Sequence, residues 1–61
     1  MTPEMVYQKF CEVFPEMKGQ IVKFIRRHPD DGYDYSIKVF LRNKNTLIFN
    51  LKKDGTWHLR R

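Results

Sequence analysis

The sequence predicts an α+β fold: one N-terminal helix packed on one face of an antiparallel β-meander of three to four strands, in the order 1-2-3-4. A helical stripe of apolar residues near the N-terminus is the first observation. The second is alternation of apolar and polar residues over 33–61, and the third is turn chemistry that interrupts it twice. We expect one domain over residues 1–61, with a helix at about 3–14 and strands at about 20–27, 33–42, 46–52 and 56–60.

The predicted helix has a recognisable beginning and end. Thr2 can cap it, Pro3 fits its first position, and Glu4 suits the positive end of its dipole. Pro15 predicts an end near Phe14, because the residue before a proline is disfavoured in helical conformation. The apolar residues at helical spacing are Val6, Tyr7, Phe10, Val13, Phe14 and Met17.

Residues 17–27 fit either a second helical stripe or a strand. Gly19 and the turn that follows favour the strand, which we place at about residues 20–27. The segment is also rich in β-branched residues, which suit a strand: Ile21, Val22 and Ile25. Helix remains the alternative for this segment.

Turn chemistry predicts the register of the later strands. Asn43–Asn45 suits a three-residue loop, because asparagine tolerates the left-handed conformation at its last position. This loop places Leu41, Val39 and Ile37 opposite Leu47, Phe49 and Leu51, in that order. Lys53–Gly55 fits a two-residue or a three-residue loop. We expect the latter, since it pairs Leu51 with Trp57 and Phe49 with Leu59 on the core side.

The first turn, Pro29–Gly32, suits a four-residue loop built on a type I turn. It pairs Phe24 with Ile37 and Val22 with Val39, so that both members of each pair face the helix. The other side of the sheet, which we call the open face, has no second predicted helix to cover it.

The open face is the predicted working surface. Its centre contains three large apolar side chains: Ile21, Phe40 and Ile48. Around this centre the register places the basic residues and one histidine that can contact an anion: Lys23, Lys38, Arg42, Lys52, His58 and Arg60. Exposed apolar patches often mark interaction sites, and two lysines on neighbouring strands repel each other unless an anion lies nearby.

The charge of the chain is unevenly distributed. The formal net charge is +5, yet the first 17 residues are net acidic and the remainder is strongly basic. Such an excess is typical of proteins with anionic partners, and it also occurs as ordinary surface charge that keeps a small domain soluble.

Two functions are compatible with these patterns. We expect first a small non-catalytic interaction module that binds a protein partner, or a second copy of itself, through the open face. The alternative is a nucleic-acid-binding module that uses the same basic face, with Phe40 as a stacking platform. Only one aromatic residue lies on the predicted face, which counts against nucleic acid, and the apolar centre with charge around it favours the protein partner.

Catalysis, metals and cofactors are not expected. His28, Asp30, Asp31 and Asp34 form an ordinary solvated turn, and His58 has no predicted carboxylate or nucleophile beside it. The single cysteine has too few partners for a zinc site, and a reducing, cytoplasmic location suits its free thiol. We expect no small-molecule substrate in so short a chain, and no apolar run is long enough for a membrane helix.

The chain loosely resembles the very small uncharacterised α+β proteins that are common in phage and prophage genomes. The resemblance rests on a helix that ends in Phe14-Pro15 and on the segments Thr46–Leu51 and Asp54–Leu59. It spans most of the chain but its motifs are unspecific. It implies a protein that binds host proteins or nucleic acid, and it assigns a role to no particular residue.

Overall fold

A computed structural model describes all residues from Met1 to Arg61. Helix α1 (Pro3–Val13) is followed by a short 3-10 helix (Pro15–Gln20) and by four strands. The strands are β1 (Ile21–Arg26), β2 (Tyr35–Leu41), β3 (Thr46–Leu51) and β4 (Trp57–Arg60). They form one antiparallel sheet in the order β1-β2-β3-β4, which confirms the predicted α+β class and meander.

Helix α1 begins and ends as its sequence predicts. The Thr2 hydroxyl accepts a hydrogen bond from the Met5 amide at 3.3 Å, and Pro3 occupies the first turn. Phe14 caps the C-terminus, where its N–H donates to the Phe10 carbonyl. Pro15 then opens the 3-10 helix, an element that the sequence analysis did not predict.

The core lies between α1 and the helix-facing side of the sheet. Its eight buried apolar residues are Val6, Phe10, Ile37, Val39, Leu41, Leu47, Phe49 and Leu51. Aromatic contacts link the two layers: the Phe10 ring meets Phe49 edge-on at 5.3 Å, and Tyr7 stacks on Phe24 at 4.2 Å. Trp57 contacts Phe14 and Phe49 but remains 39% exposed, because β4 is a short edge strand.

The register between β3 and β4 is the predicted one. Leu51 pairs with Trp57 and Phe49 pairs with Leu59. Gly55 has a φ of +94° and its amide donates to the Lys52 carbonyl, so the three-residue loop ends on the left-handed glycine. Asp54 stabilises this turn by accepting the Thr56 amide at 2.9 Å.

The loop between β2 and β3 begins one residue earlier than predicted, so the predicted pairing of these two strands is wrong by two residues. Lys44, with a φ of 70°, takes the left-handed position that was expected at Asn45, and the loop is Arg42–Lys44. Asn43 accepts the Asn45 amide at 3.0 Å, which favours this earlier turn. Ile37 therefore pairs with Phe49 and Val39 with Leu47. A shift of two keeps every side chain on its predicted face.

The register between β1 and β2 also differs from the prediction. Phe24 pairs with Val39 instead of Ile37, and Val22 forms a β-bulge between the pairs Ile21–Leu41 and Lys23–Phe40. Val22 is 63% exposed, so its predicted place in the core is wrong. The bulge adds one residue to β1. The side chains that precede the bulge therefore face the opposite side of the sheet from the one predicted.

Candidate binding face

The observed pairings define the side chains on the open face. From the end near the bulge, Lys23 lies opposite Phe40, Ile25 opposite Lys38, Lys38 opposite Ile48, and Ile48 opposite Arg60. The next row contains Ser36, Asn50 and His58. None of these side chains is acidic.

Ile21 does not belong to the open face, contrary to the sequence prediction. It pairs with Leu41 and packs against the core, because the bulge at Val22 inverts the alternation at the start of β1. Ile25, which is 45% exposed, lies on the open face. The predicted continuous apolar row is therefore divided: Lys38 separates Ile25 from Ile48.

Two lysine ammonium groups lie over the Phe40 ring. The Nζ atom of Lys23 is 4.9 Å from the centre of the Phe40 ring, and the Nζ atom of Lys38 is 5.5 Å from it. Each contact places a cation on the electron-rich ring and contributes about 0.5–1 kcal/mol at an exposed site. Neither ammonium has a carboxylate within salt-bridge distance, since both salt bridges of the structure belong to Asp30.

Asp30 attaches the loop between β1 and β2 to the open face. Its carboxylate accepts two hydrogen bonds from Arg60, from Nε and from Nη2, both at 3.1 Å. Asn50 donates to it at 2.8 Å and accepts the Asp30 amide at 3.1 Å. Arg27 donates to Asp30 at 3.3 Å and to the Ser36 hydroxyl at 3.0 Å. We call these five residues the Asp30 cluster.

The Asp30 cluster has two consequences for the open face. It supplies hydrogen-bond partners to the buried polar side chains of Ser36 and Asn50, which would destabilise the sheet without them. It also pairs Arg60 with an internal carboxylate, so this predicted anion-contacting residue is partly neutralised by the chain itself. The loop covers one end of the face and leaves the end around Phe40 open.

The Asp30 cluster predicts a loss of stability in acid. The hydrogen bonds from Arg60 and then Asn50 lower the pKa of Asp30 to about 2. An aspartate in the unfolded chain has a pKa of about 4, so the ionised Asp30 carboxylate stabilises the fold fully above that pH. This stabilisation is lost as the pH falls through about 2.

We expect the melting temperature of Asp30→Asn to fall less between pH 7 and pH 2 than that of the unmodified chain, measured by circular dichroism. Asp31→Asn is the matched control, because it removes the neighbouring carboxylate, which belongs to neither salt bridge, and it should keep the Asp30 cluster intact. The same acid profile in Asp30→Asn and in the unmodified chain would contradict the assignment. Asp54, whose pKa is lowered by the Thr56 amide, supplies part of the remaining acid dependence.

A second aromatic residue reaches the open face from the loop. The Tyr33 ring lies 6.2 Å from the ring of His58, and the Nζ atom of Lys52 is 5.4 Å from the centre of the Tyr33 ring. Tyr33 is not among the predicted site residues, because alternation along a strand says nothing about a loop residue that folds back over the sheet. The predicted residues Lys52 and His58 thus lie beside an aromatic ring, as Lys23 and Lys38 do.

The remaining predicted site residue, Arg42, lies beyond the end of β2 and outside the paired strands that form the face. It lies in the turn between β2 and β3, where its amide donates to the Gln20 carbonyl at 2.9 Å. The acidic side chains Glu4 and Glu12 lie on α1, and Glu16 lies on the 3-10 helix. Three of the seven Asp and Glu side chains thus lie on the helical elements, together with Lys9 and Lys18, whereas Asp30 lies against the open face.

Comparisons of the chain with family models, curated proteins and solved structures return no match. No three His, Cys, Asp or Glu side chains are grouped so that they could hold a metal ion. Cys11 is a free, half-buried thiol on α1. The helices are all too short or too polar to span a membrane.

Proposed function

We propose that this chain is a non-catalytic interaction module that binds a polyanionic partner through the open face. The observation that carries the proposal is the Phe40 ring with two lysine ammonium groups that have no carboxylate partner. Two such cations beside one ring repel each other, and an anion between them relieves that repulsion. Binding also releases the counterions that the polyanion holds.

Self-association through the open face is less well supported than the sequence alone suggested. Ile21 is absent from the face, and two copies placed face to face would oppose two basic surfaces whose strand residues include no carboxylate. The edge of β1 offers another surface, but its bulge and its exposed Lys23 and Arg26 disfavour pairing with a second strand.

A protein with an acidic surface is the second candidate partner. Ile25 and Val22 are exposed beside Lys23, so β1 presents apolar side chains next to a cation. Interfaces commonly combine an apolar centre with a polar rim in this way. The single free thiol fits a reducing compartment, and we retain the cytoplasm as the proposed location.

Sedimentation velocity tests the proposal directly. We expect the chain to sediment as a monomer alone and to shift with poly-glutamate or with single-stranded DNA at low salt. Raising the salt should dissociate the complex, because screening and lost counterion release both weaken it. A stable dimer that ignores both polyanions would contradict the proposal and support self-association.

The variant Phe40→Asp should lose polyanion binding while its circular dichroism spectrum stays that of the folded chain. The new carboxylate would pair with Lys23 and Lys38 and repel an anionic partner. Met5→Asp is the control, since Met5 is 50% exposed and lies on α1. If Phe40→Asp instead unfolds, Phe40 supports the fold and the assignment of the face is wrong.

A further inference from the structure

Aromatic rings and cations occur together twice on the open face. Phe40 lies beside Lys23 and Lys38 at one end. Tyr33 lies beside Lys52 and His58 at the other. From this repeated pairing we propose that the polyanionic partner is a single-stranded nucleic acid whose bases stack on Phe40 and Tyr33. This proposal rests on the function proposed above.

The chemistry of each pair matches that of a nucleotide. A nucleotide carries a flat aromatic base and, one sugar away, a negatively charged phosphate. The Phe40 and Tyr33 rings are half-buried, and each can accept the face of a base of any identity when its lysine ammonium moves from the ring to the phosphate. An acidic peptide supplies the charges but has no ring next to each carboxylate, so it would leave both aromatic faces without a stacking partner.

The spacing of the two rings suits an extended strand. Phe40 lies four positions along β2 from Ser36, and Ser36 and His58 share one row across the sheet. Phe40 and the Tyr33–His58 pair are therefore about 13 Å apart along the strands and about 10 Å apart across them. A single strand of about four nucleotides spans this separation, which is at the lower end of known site sizes.

The side chains between the rings fit the path of such a strand. Lys38 and Ile48 are cross-strand neighbours and provide a cation and an apolar contact. A duplex suits the face less well, because its bases are stacked on one another and their faces are not available to Phe40 and Tyr33.

The test compares strands of equal charge with and without bases. We would titrate the chain, by fluorescence anisotropy at low salt, with a labelled strand of about ten thymidines and with an abasic strand of the same length. Loss of stacking on two rings should weaken binding of the abasic strand by about tenfold or more. A duplex of the same length should also bind more weakly than the thymidine strand.

The variants Phe40→Leu and Tyr33→Leu keep an apolar side chain and remove the ring. Each should weaken binding of the thymidine strand and leave binding of the abasic strand unchanged. Trp57→Phe combined with Phe40→Trp adds a direct readout, because stacked thymines should quench the tryptophan fluorescence. Trp57 itself packs on Phe14, on the helix-facing side of the sheet.

Each remaining outcome overturns a defined part of this account. Equal affinity for thymidine and abasic strands would retain a polyanion-binding face and overturn stacking. Tighter binding of poly-glutamate than of the thymidine strand would retain the face and overturn nucleic acid as the partner. Binding of neither polymer would overturn the stacking proposal and the proposed function together.

Discussion

The variant Phe10→Ala is expected to be largely unfolded at 25 °C. Phe10 is fully buried and its ring contacts Phe14, Phe49 and Tyr7. Removal of a buried phenylalanine ring costs about 3–5 kcal/mol, through lost transfer free energy and the cavity that remains. In a chain of fewer than about 70 residues a single core rarely supplies more than about 3–5 kcal/mol of stability, so this loss is about as large as the whole. Urea unfolding followed by circular dichroism measures the difference.

Two further variants make the Phe10 result specific. Phe10→Leu keeps most of the apolar volume and should be distinctly more stable than Phe10→Ala. Met5→Ala lies on the same helix at an exposed position and should change the free energy of unfolding by less than about 0.5 kcal/mol. A loss below about 1 kcal/mol for Phe10→Ala would contradict the packing of α1 on the sheet.

The fold class followed from the sequence because each element has a local physical signal. Thr2 and Pro15 mark the limits of α1, and the alternation of apolar and polar residues marks β2 and β3. Gly55 fixes the last hairpin, since a loop that placed it elsewhere would turn Trp57 and Leu59 away from the core.

The bulge at Val22 could not be read from the sequence. Val22 is apolar and fits the core-facing alternation of β1, so the pattern itself gives no reason to exclude it from the ladder. Beside the bulge, the Gln20 carbonyl at the end of the 3-10 helix accepts the Arg42 amide, a long-range contact that no local pattern indicates. The consequence of the bulge is large, because Ile21 moves from the predicted binding face to the core.

The Asp30 cluster was hidden for a similar reason. The residues between β1 and β2 read as a solvated turn, and their charges gave no indication of a fixed partner. Asp30 and Arg60 are 30 positions apart in the sequence, and only the folded sheet brings them to 3.1 Å. Long-range ion pairs of this kind depend on register, and the predicted register of the first hairpin was wrong.

These corrections change which partner the open face favours. Ile25 takes the place of Ile21 as the apolar residue that β1 contributes, and the loop adds the ring of Tyr33 next to Lys52. Pairing of Arg60 with Asp30 leaves Lys23 and Lys38 as the cations without a carboxylate partner around Phe40. The face therefore keeps three large apolar side chains, which Lys38 now divides, and an aromatic ring lies beside cations at each of its two ends.

Replacement of both lysines beside Phe40 is expected to abolish polyanion binding. In Lys23→Glu/Lys38→Glu the ring is flanked by two carboxylates, which repel a phosphate strand where the lysines attract it. The milder variant Lys23→Gln/Lys38→Gln should lower the slope of log affinity against log salt by about 0.7 for each lysine that contacts a phosphate. Anisotropy titrations of a labelled single strand at several salt concentrations measure both effects.

A control double variant on the helical side distinguishes the effect of local contact from the effect of overall charge. Lys9→Glu/Lys18→Glu changes the net charge of the chain by the same amount, but Lys9 lies on α1 and Lys18 on the 3-10 helix. If the partner contacts Lys23 and Lys38, this control should weaken binding only slightly, through long-range repulsion that moderate salt screens. An equal loss of affinity in both double variants would mean that binding follows net charge alone. That result would mean that Phe40 and its two lysines do not form a binding site, because affinity at a binding site depends on where the charges lie and not only on their sum.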